Sequence, residues 1–150
     1  MPDVIQTVPR SDRFLLAVSF ASFAVAGVST GPDDALAPTL GATALAVAGV
    51  YALARYAGAV SRRTLALAAL GYWLAFLAIA PLHAVGLETL GSIVYGPSEA
   101  IVLAVTAVTW ATLLSACGTT AFLGFREYGS RAAIDAPEEQ VLDGDTPSDY

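Results

Sequence analysis

The stretch TLALAALGYWLAFLAIAPLHAVG, residues 64–86, decides the fold of this chain, because it contains no Asp, Glu, Lys or Arg. About 20 consecutive apolar residues are enough for an α-helix to cross the hydrocarbon core of a bilayer. The stretch is rich in Ala and Leu and lacks the alternating polarity of a barrel strand. It therefore predicts a transmembrane helix.

Three further apolar blocks, at residues 14–30, 38–57 and 99–125, predict three more spans. The chain is 56% hydrophobic and 13% charged, whereas soluble domains are about 25% charged. We expect an all-α fold, an integral membrane four-helix bundle. Residues 1–13 form an N-terminal segment, residues 14–131 the four-span domain, and residues 132–150 a tail. The tail is acidic, lacks basic residues and has little to bury, so we expect it to be disordered.

The basic residues predict the orientation of the bundle. All seven are arginines, and they flank the spans at the ends that an up-and-down chain places on one side. Cytoplasmic loops carry an excess of Arg and Lys. We therefore expect a multi-pass protein of the cell membrane with both termini in the cytoplasm. The arginines are Arg10, Arg13, Arg55, Arg62, Arg63, Arg126 and Arg131.

The first span has a second interpretation as a secretory signal. Arg10 and Arg13 precede an apolar run that contains the A-x-A pattern at Ala24–Ala26, and cleavage there would leave three spans. Against it, the leading segment also carries Asp3 and Asp12.

Composition excludes several classes of function. The net charge of −6 offers no basic stripe for nucleic acid. The acidic, lysine-free composition is similar to that of proteins from halophilic archaea. Cys117 is the only cysteine, which excludes intramolecular disulfides and CxxC sites. No GxSxG, HExxH or P-loop is present, so we expect no enzyme activity, no catalytic residue, no metal and no cofactor.

Two similar stretches, GPDDAL at residues 31–36 and GPSEAI at residues 96–101, each precede an apolar block. Proline is tolerated in the first helical turn, and acidic side chains there interact favourably with the helix dipole. The stretches therefore predict two helix starts. A second interpretation is a cation-attracting ring that includes Asp34 and Glu99. The recurrence also suggests that the first helical hairpin repeats as the second.

His83 is the only histidine, and it follows Pro81 near the end of the third span. We expect a kink at Pro81 that opens space for water or a partner. His83 then has two interpretations: a titrating gate or relay, or an interfacial side chain hydrogen-bonded to a loop.

Small and hydroxylated residues predict helix packing. Gly41, Gly49 and Gly71 are candidates for close helix contacts, because small residues let backbones approach in lipid. A polar stripe on the fourth span should face protein. It comprises Thr109, Thr112, Ser115 and Thr119.

A possible polar layer would lie at similar depth in the cytoplasmic half of the bundle. Tyr51, Tyr72, Cys117 and Ser22 form this layer if each span rises 1.5 Å per residue. Such a layer predicts either a small cavity or ordinary core contacts.

Two hypotheses for function follow. The first is a non-catalytic accessory, assembly or regulatory subunit whose partners are the lipid bilayer and another membrane protein or a second copy of this chain. The alternative is a homo-oligomeric channel or carrier for a small ion or solute.

Overall fold

Four α-helices make up the computed structural model, which describes residues 8–29, 36–87, 89, 93 and 96–134. The described part contains no strand, and the all-α prediction is confirmed. Each helix is long and apolar enough to cross a membrane, which is compatible with a multi-pass membrane protein. The helices are α1 (Val8–Ser29), α2 (Leu36–Ala59), α3 (Arg62–Val85) and α4 (Ser98–Ile134).

All four helices extend beyond the apolar blocks that predicted them, and α1 and α4 extend the furthest. α1 begins at Val8, ahead of residue 14, and α4 continues to Ile134, beyond residue 125. The predicted tail boundary is therefore wrong, since residues 132–134 belong to α4. The rest of the tail, residues 135–150, lies outside the described residues, as do residues 1–7 and Asp34.

A side-chain hydrogen bond marks the start of α3, and a glycine marks its end. The Ser61 side chain accepts a hydrogen bond from the Thr64 backbone N–H at 3.2 Å, which is an N-cap contact. α3 continues past Pro81 to Val85 and ends at Gly86. Gly86 has φ of 95°, a left-handed conformation that glycine adopts without steric cost.

Contacts between the helices establish an up-and-down order. Along α3 and α4, residues near the start of one helix meet residues near the end of the other: Arg62 with Glu127, Trp73 with Thr120, and His83 with Thr109. All seven arginines consequently lie where α1 and α3 begin and α2 and α4 end. We call this end of the bundle the arginine end, and the opposite end the far end.

The bundle is closed at the arginine end and open at the far end. α1 packs against α2 and α4, whereas the extended contact of α3 is with α4 alone; α2 and α3 share no extended contact. Leu65 and Ala69 are the buried residues of α3, and both lie in its first turns. The core is therefore concentrated near the arginine end. It consists of Phe23, Leu53, Tyr56, Ala57, Leu65 and Ala111.

Three glycines allow close helix contacts. A β-carbon added at Gly27 would lie 2.3 Å from Trp110 Cβ, one at Gly49 would meet the Phe23 ring at 2.7 Å, and one at Gly118 would meet Leu53 at 2.5 Å.

Two predicted packing glycines make no such contact. A β-carbon at Gly41 or Gly71 would meet nothing within 4 Å. The prediction that these two residues pack against another helix of the chain is wrong, because both lie on exposed helix faces.

Candidate functional site: a cleft around Trp110

Trp110 lies at the junction of three cavities in the far half of the bundle. Their volumes are about 630, 220 and 330 Å³, and Trp110 contributes to the wall of each. Although Trp110 packs against Gly27, 43% of it is exposed. We call this space the far-end cleft. Its other lining residues include Thr39 and Thr43 of α2, Phe76 and His83 of α3, and Ser98, Glu99, Thr106 and Thr109 of α4.

The depth of the cleft follows from positions on α4. Ser98 lies at the start of α4 and Trp110 twelve residues later, which at 1.5 Å per residue is about 18 Å along the helix axis. Beyond Trp110 the interior is filled, since Ala111, Thr112 and Ser115 are buried. The cleft thus opens at the far end and closes near the middle of the bundle.

His83 is held in the cleft by α4, and not by a loop as one interpretation predicted. Its Nε2 lies 2.9 Å from Thr109 Oγ1, and Thr109 Oγ1 donates to the Val105 carbonyl at 2.7 Å. When the Thr109 hydroxyl donates to Val105, its oxygen is left to accept from the ring, and His83 is the donor in that arrangement. The pair links the end of α3 to α4.

The polar stripe on α4 lies on the packed face of the helix. Thr112, Ser115 and Thr119 are at most 3% exposed. The threonine hydroxyls donate to carbonyls of their own helix: Thr112 to Val108 and Thr119 to Ser115. Such bonds satisfy the hydroxyls within α4 itself. The two threonine side chains can therefore be buried against other helices without a hydrogen bond to them.

Ser115 differs from these threonines. Its hydroxyl is buried and makes no hydrogen bond of ordinary geometry, although it interacts with the side chain of Tyr72. Tyr72 in turn stacks on Phe20 of α1, with ring centroids 6.1 Å apart. This contact links α3 to α1 in the interior.

The predicted polar layer does not form. Tyr51 is 63% exposed and accepts a hydrogen bond from Arg55 on its own helix. Cys117 is also exposed, while Ser22 is half-buried. The prediction used only depth along each helix and could not assign the face, so it grouped inward-facing Tyr72 with outward-facing Tyr51 and Cys117.

Two interhelical contacts were missed from the sequence. Ser19 Oγ donates to the Gly49 carbonyl at 2.9 Å, and Ser19 is 1% exposed. One guanidinium nitrogen of Arg126 donates to the Ala57 and Val60 carbonyls at 3.0 and 2.9 Å. A hydroxyl side chain within an apolar span was a usable signal for Ser19, and Ser22 on the same helix carries the same signal. Arg126 was used only as a marker of orientation.

Metal and cofactor sites require clusters of suitable side chains. Within the described ranges, no group of three or more His, Cys, Asp or Glu side chains could hold a metal ion. Glu99 is exposed in the first turn of α4, at the mouth of the far-end cleft.

Comparison with protein-family models finds no matching family, and comparison with curated proteins and with solved structures finds no similar protein.

Proposed function

We propose that this protein is a multi-pass membrane protein that acts as a non-catalytic accessory, assembly or regulatory subunit through helix contacts in the bilayer. In this proposal it lies in the cell membrane with both termini in the cytoplasm. The gathering of seven arginines at one end of the bundle supports that orientation, since basic residues favour the cytoplasmic side.

The far-end cleft is the observation that carries the subunit role. α2 and α3 lack an extended contact, and small residues line the opening beside the exposed face of Trp110. Helices associate in lipid through small residues that permit close approach and through large side chains that fill the matching space. The cleft resembles a helix–helix interface from which one helix is missing. A helix of another membrane protein, or of a second copy of this chain, would complete the interface.

Site-specific photocrosslinking in native membranes tests this role. A photoreactive side chain at Leu103, which lines the cleft and is 56% exposed, is expected to capture a stoichiometric partner. The matched control is Val47 on α2, which is 63% exposed and does not line the cleft. Equal capture at both positions, or purification of an uncrosslinked monomer in mild detergent, would contradict the proposal.

A homo-oligomeric channel or carrier is the second candidate, favoured by the one-sided depth of the cleft. Carriers alternate the access of a central site between the two sides of the membrane. The far-end cleft runs from Ser98 to Trp110, and Ala111, Thr112 and Ser115 are buried beyond it. In vesicles containing purified protein, this candidate predicts a solute flux whose pH dependence shifts in His83→Ala. Absence of flux, or an unchanged pH profile, counts against it.

A further inference from the structure

A further cavity lies at the arginine end, between α3 and α4. It has a volume of about 750 Å³, and we call it the α3–α4 groove. It is separate from the far-end cleft, since the two share no residue. It is lined by Arg62, Arg63, Ala66, Thr120, Leu123, Gly124 and Glu127.

The groove is apolar along its length. Ala66, Leu123 and Gly124 supply hydrocarbon and backbone surface. The Thr120 hydroxyl already has hydrogen-bond partners, because it donates to the Ala116 carbonyl at 2.8 Å and accepts from Trp73 Nε1 at 3.1 Å. A ligand in the body of the groove would therefore meet apolar surface and no free hydroxyl proton.

The mouth of the groove carries surplus positive charge. Arg62 pairs with Glu127, and Arg131 lies 3.7 Å from the same carboxylate. Arg63 forms no ion pair or hydrogen bond with the residues that the structure describes. Two arginines thus share one carboxylate, and Arg63 is left without an anionic partner among those residues.

The start of α3 adds to this charge. A helix N-terminus carries a partial positive charge, so basic residues there are unfavourable and acidic ones favourable. α3 begins with Arg62 and Arg63 and has no acidic residue in its first turn. A bound anion would offset both the dipole and the unpaired guanidinium.

We infer that the α3–α4 groove binds an anionic phospholipid, with its phosphate at Arg63 and the start of α3 and an acyl chain along Ala66, Leu123 and Gly124. An amphiphile with an anionic head matches both parts of the groove, whereas a soluble anion would use only the mouth. Basic pockets between helices on the cytoplasmic side are suited to such headgroups. The inference rests on the proposed membrane location and orientation.

Native mass spectrometry of the intact chain tests this inference. The protein, in mild detergent, is offered equal amounts of phosphatidylglycerol and phosphatidylcholine with identical acyl chains. We expect phosphatidylglycerol to be retained preferentially, and Arg63→Gln to reduce its retention about five-fold, as expected for one arginine near an anionic headgroup. Arg55→Gln is the matched control, because it removes one charge from the same end but outside the groove.

A second pair of variants tests the groove itself without changing charge. A β-carbon at Gly124 or Gly58 would meet nothing within 4 Å, so leucine is expected to fit at both positions with helix content unchanged. Gly124→Leu fills the groove and should abolish lipid retention, while Gly58→Leu on α2 should not. Equal retention of the two lipids, or full retention by Gly124→Leu, would overturn the inference.

The remaining outcomes separate other occupants. Displacement of the lipid by millimolar inorganic phosphate would show a site for a free anion and overturn the role of the acyl chain. A dimer that Gly124→Leu dissociates would show that a second copy occupies the groove. Recovery of the protein from the soluble fraction would instead contradict the proposed membrane location.

Discussion

Replacing Gly27 with alanine is expected to lower the free energy of unfolding by about 2–3 kcal/mol, as for overpacked core positions. The new β-carbon would lie 2.3 Å from Trp110 Cβ and 2.6 Å from its Cγ. Cβ is attached directly to the α4 backbone, so a change of rotamer cannot move it away. α1 and α4 would have to separate at the place where the far-end cleft meets the core.

Denaturant titration in detergent micelles measures this effect, and Gly41→Ala and Gly71→Ala are matched controls. Neither control meets a neighbour within 4 Å, and alanine is favoured over glycine in a helix by up to about 1 kcal/mol. The controls should therefore be neutral or slightly stabilising. In a Trp73→Phe background, the fluorescence of Trp110 should change in the Gly27 variant only. Equal effects at Gly27 and Gly71 would show that α1 and α4 are not in close contact.

Replacing Arg126 with glutamine is expected to destabilise the arginine end by about 1–2 kcal/mol. Hydrogen bonds to charged groups contribute about 1.5–3 kcal/mol, and the solvent exposure of Arg126 reduces that value. The two carbonyls that Arg126 binds belong to Ala57, in the last turn of α2, and Val60, in the connection to α3. The last carbonyls of a helix have no partner within the helix, so this side chain caps α2 from α4.

Hydrogen exchange provides a local measurement of this cap. In Arg126→Gln, the amides around the α2–α3 connection, residues 56–65, should exchange faster, while those near Ser19 and Gly49 keep their rates. Arg131→Gln is the control, since Arg131 is 75% exposed and its only described ion pair is with Glu127 at 3.7 Å; exposed pairs contribute about 0–1 kcal/mol. Protection that is unchanged in Arg126→Gln would contradict the cap.

The number and type of helices were predictable because a span is defined by length and composition, both of which are properties of the sequence. The open half of the bundle was not predictable. Whether α3 packs on α2 depends on which helix faces meet. Each helix carries apolar residues on all of its faces, so the sequence does not mark the face that packs. Gly27, Gly41, Gly71 and Gly118 are equivalent by composition, yet Gly27 and Gly118 meet a facing side chain and Gly41 and Gly71 do not.

The candidate site was predictable only in part. His83 was singled out because a lone imidazole in an apolar span is conspicuous, and it does line the far-end cleft. An aromatic residue in an apolar span is usually a packing residue, and nothing in the sequence around Trp110 indicates that three cavities meet there. The cap by Arg126 spans 69 residues of sequence, and no local pattern encodes such a contact.

The dependence of α3 on α4 has a consequence for biosynthesis. α1 and α2 pack on one another, so the first hairpin can assemble as soon as the chain reaches Ala59. α3 has its extended contact with α4, which leaves the ribosome after it. A nascent chain that stops before Ser98 would hold α3 without the partner that orders it. The third helix therefore waits for its main partner until translation has passed residues 109–127, the part of α4 that contacts His83, Trp73 and Arg62.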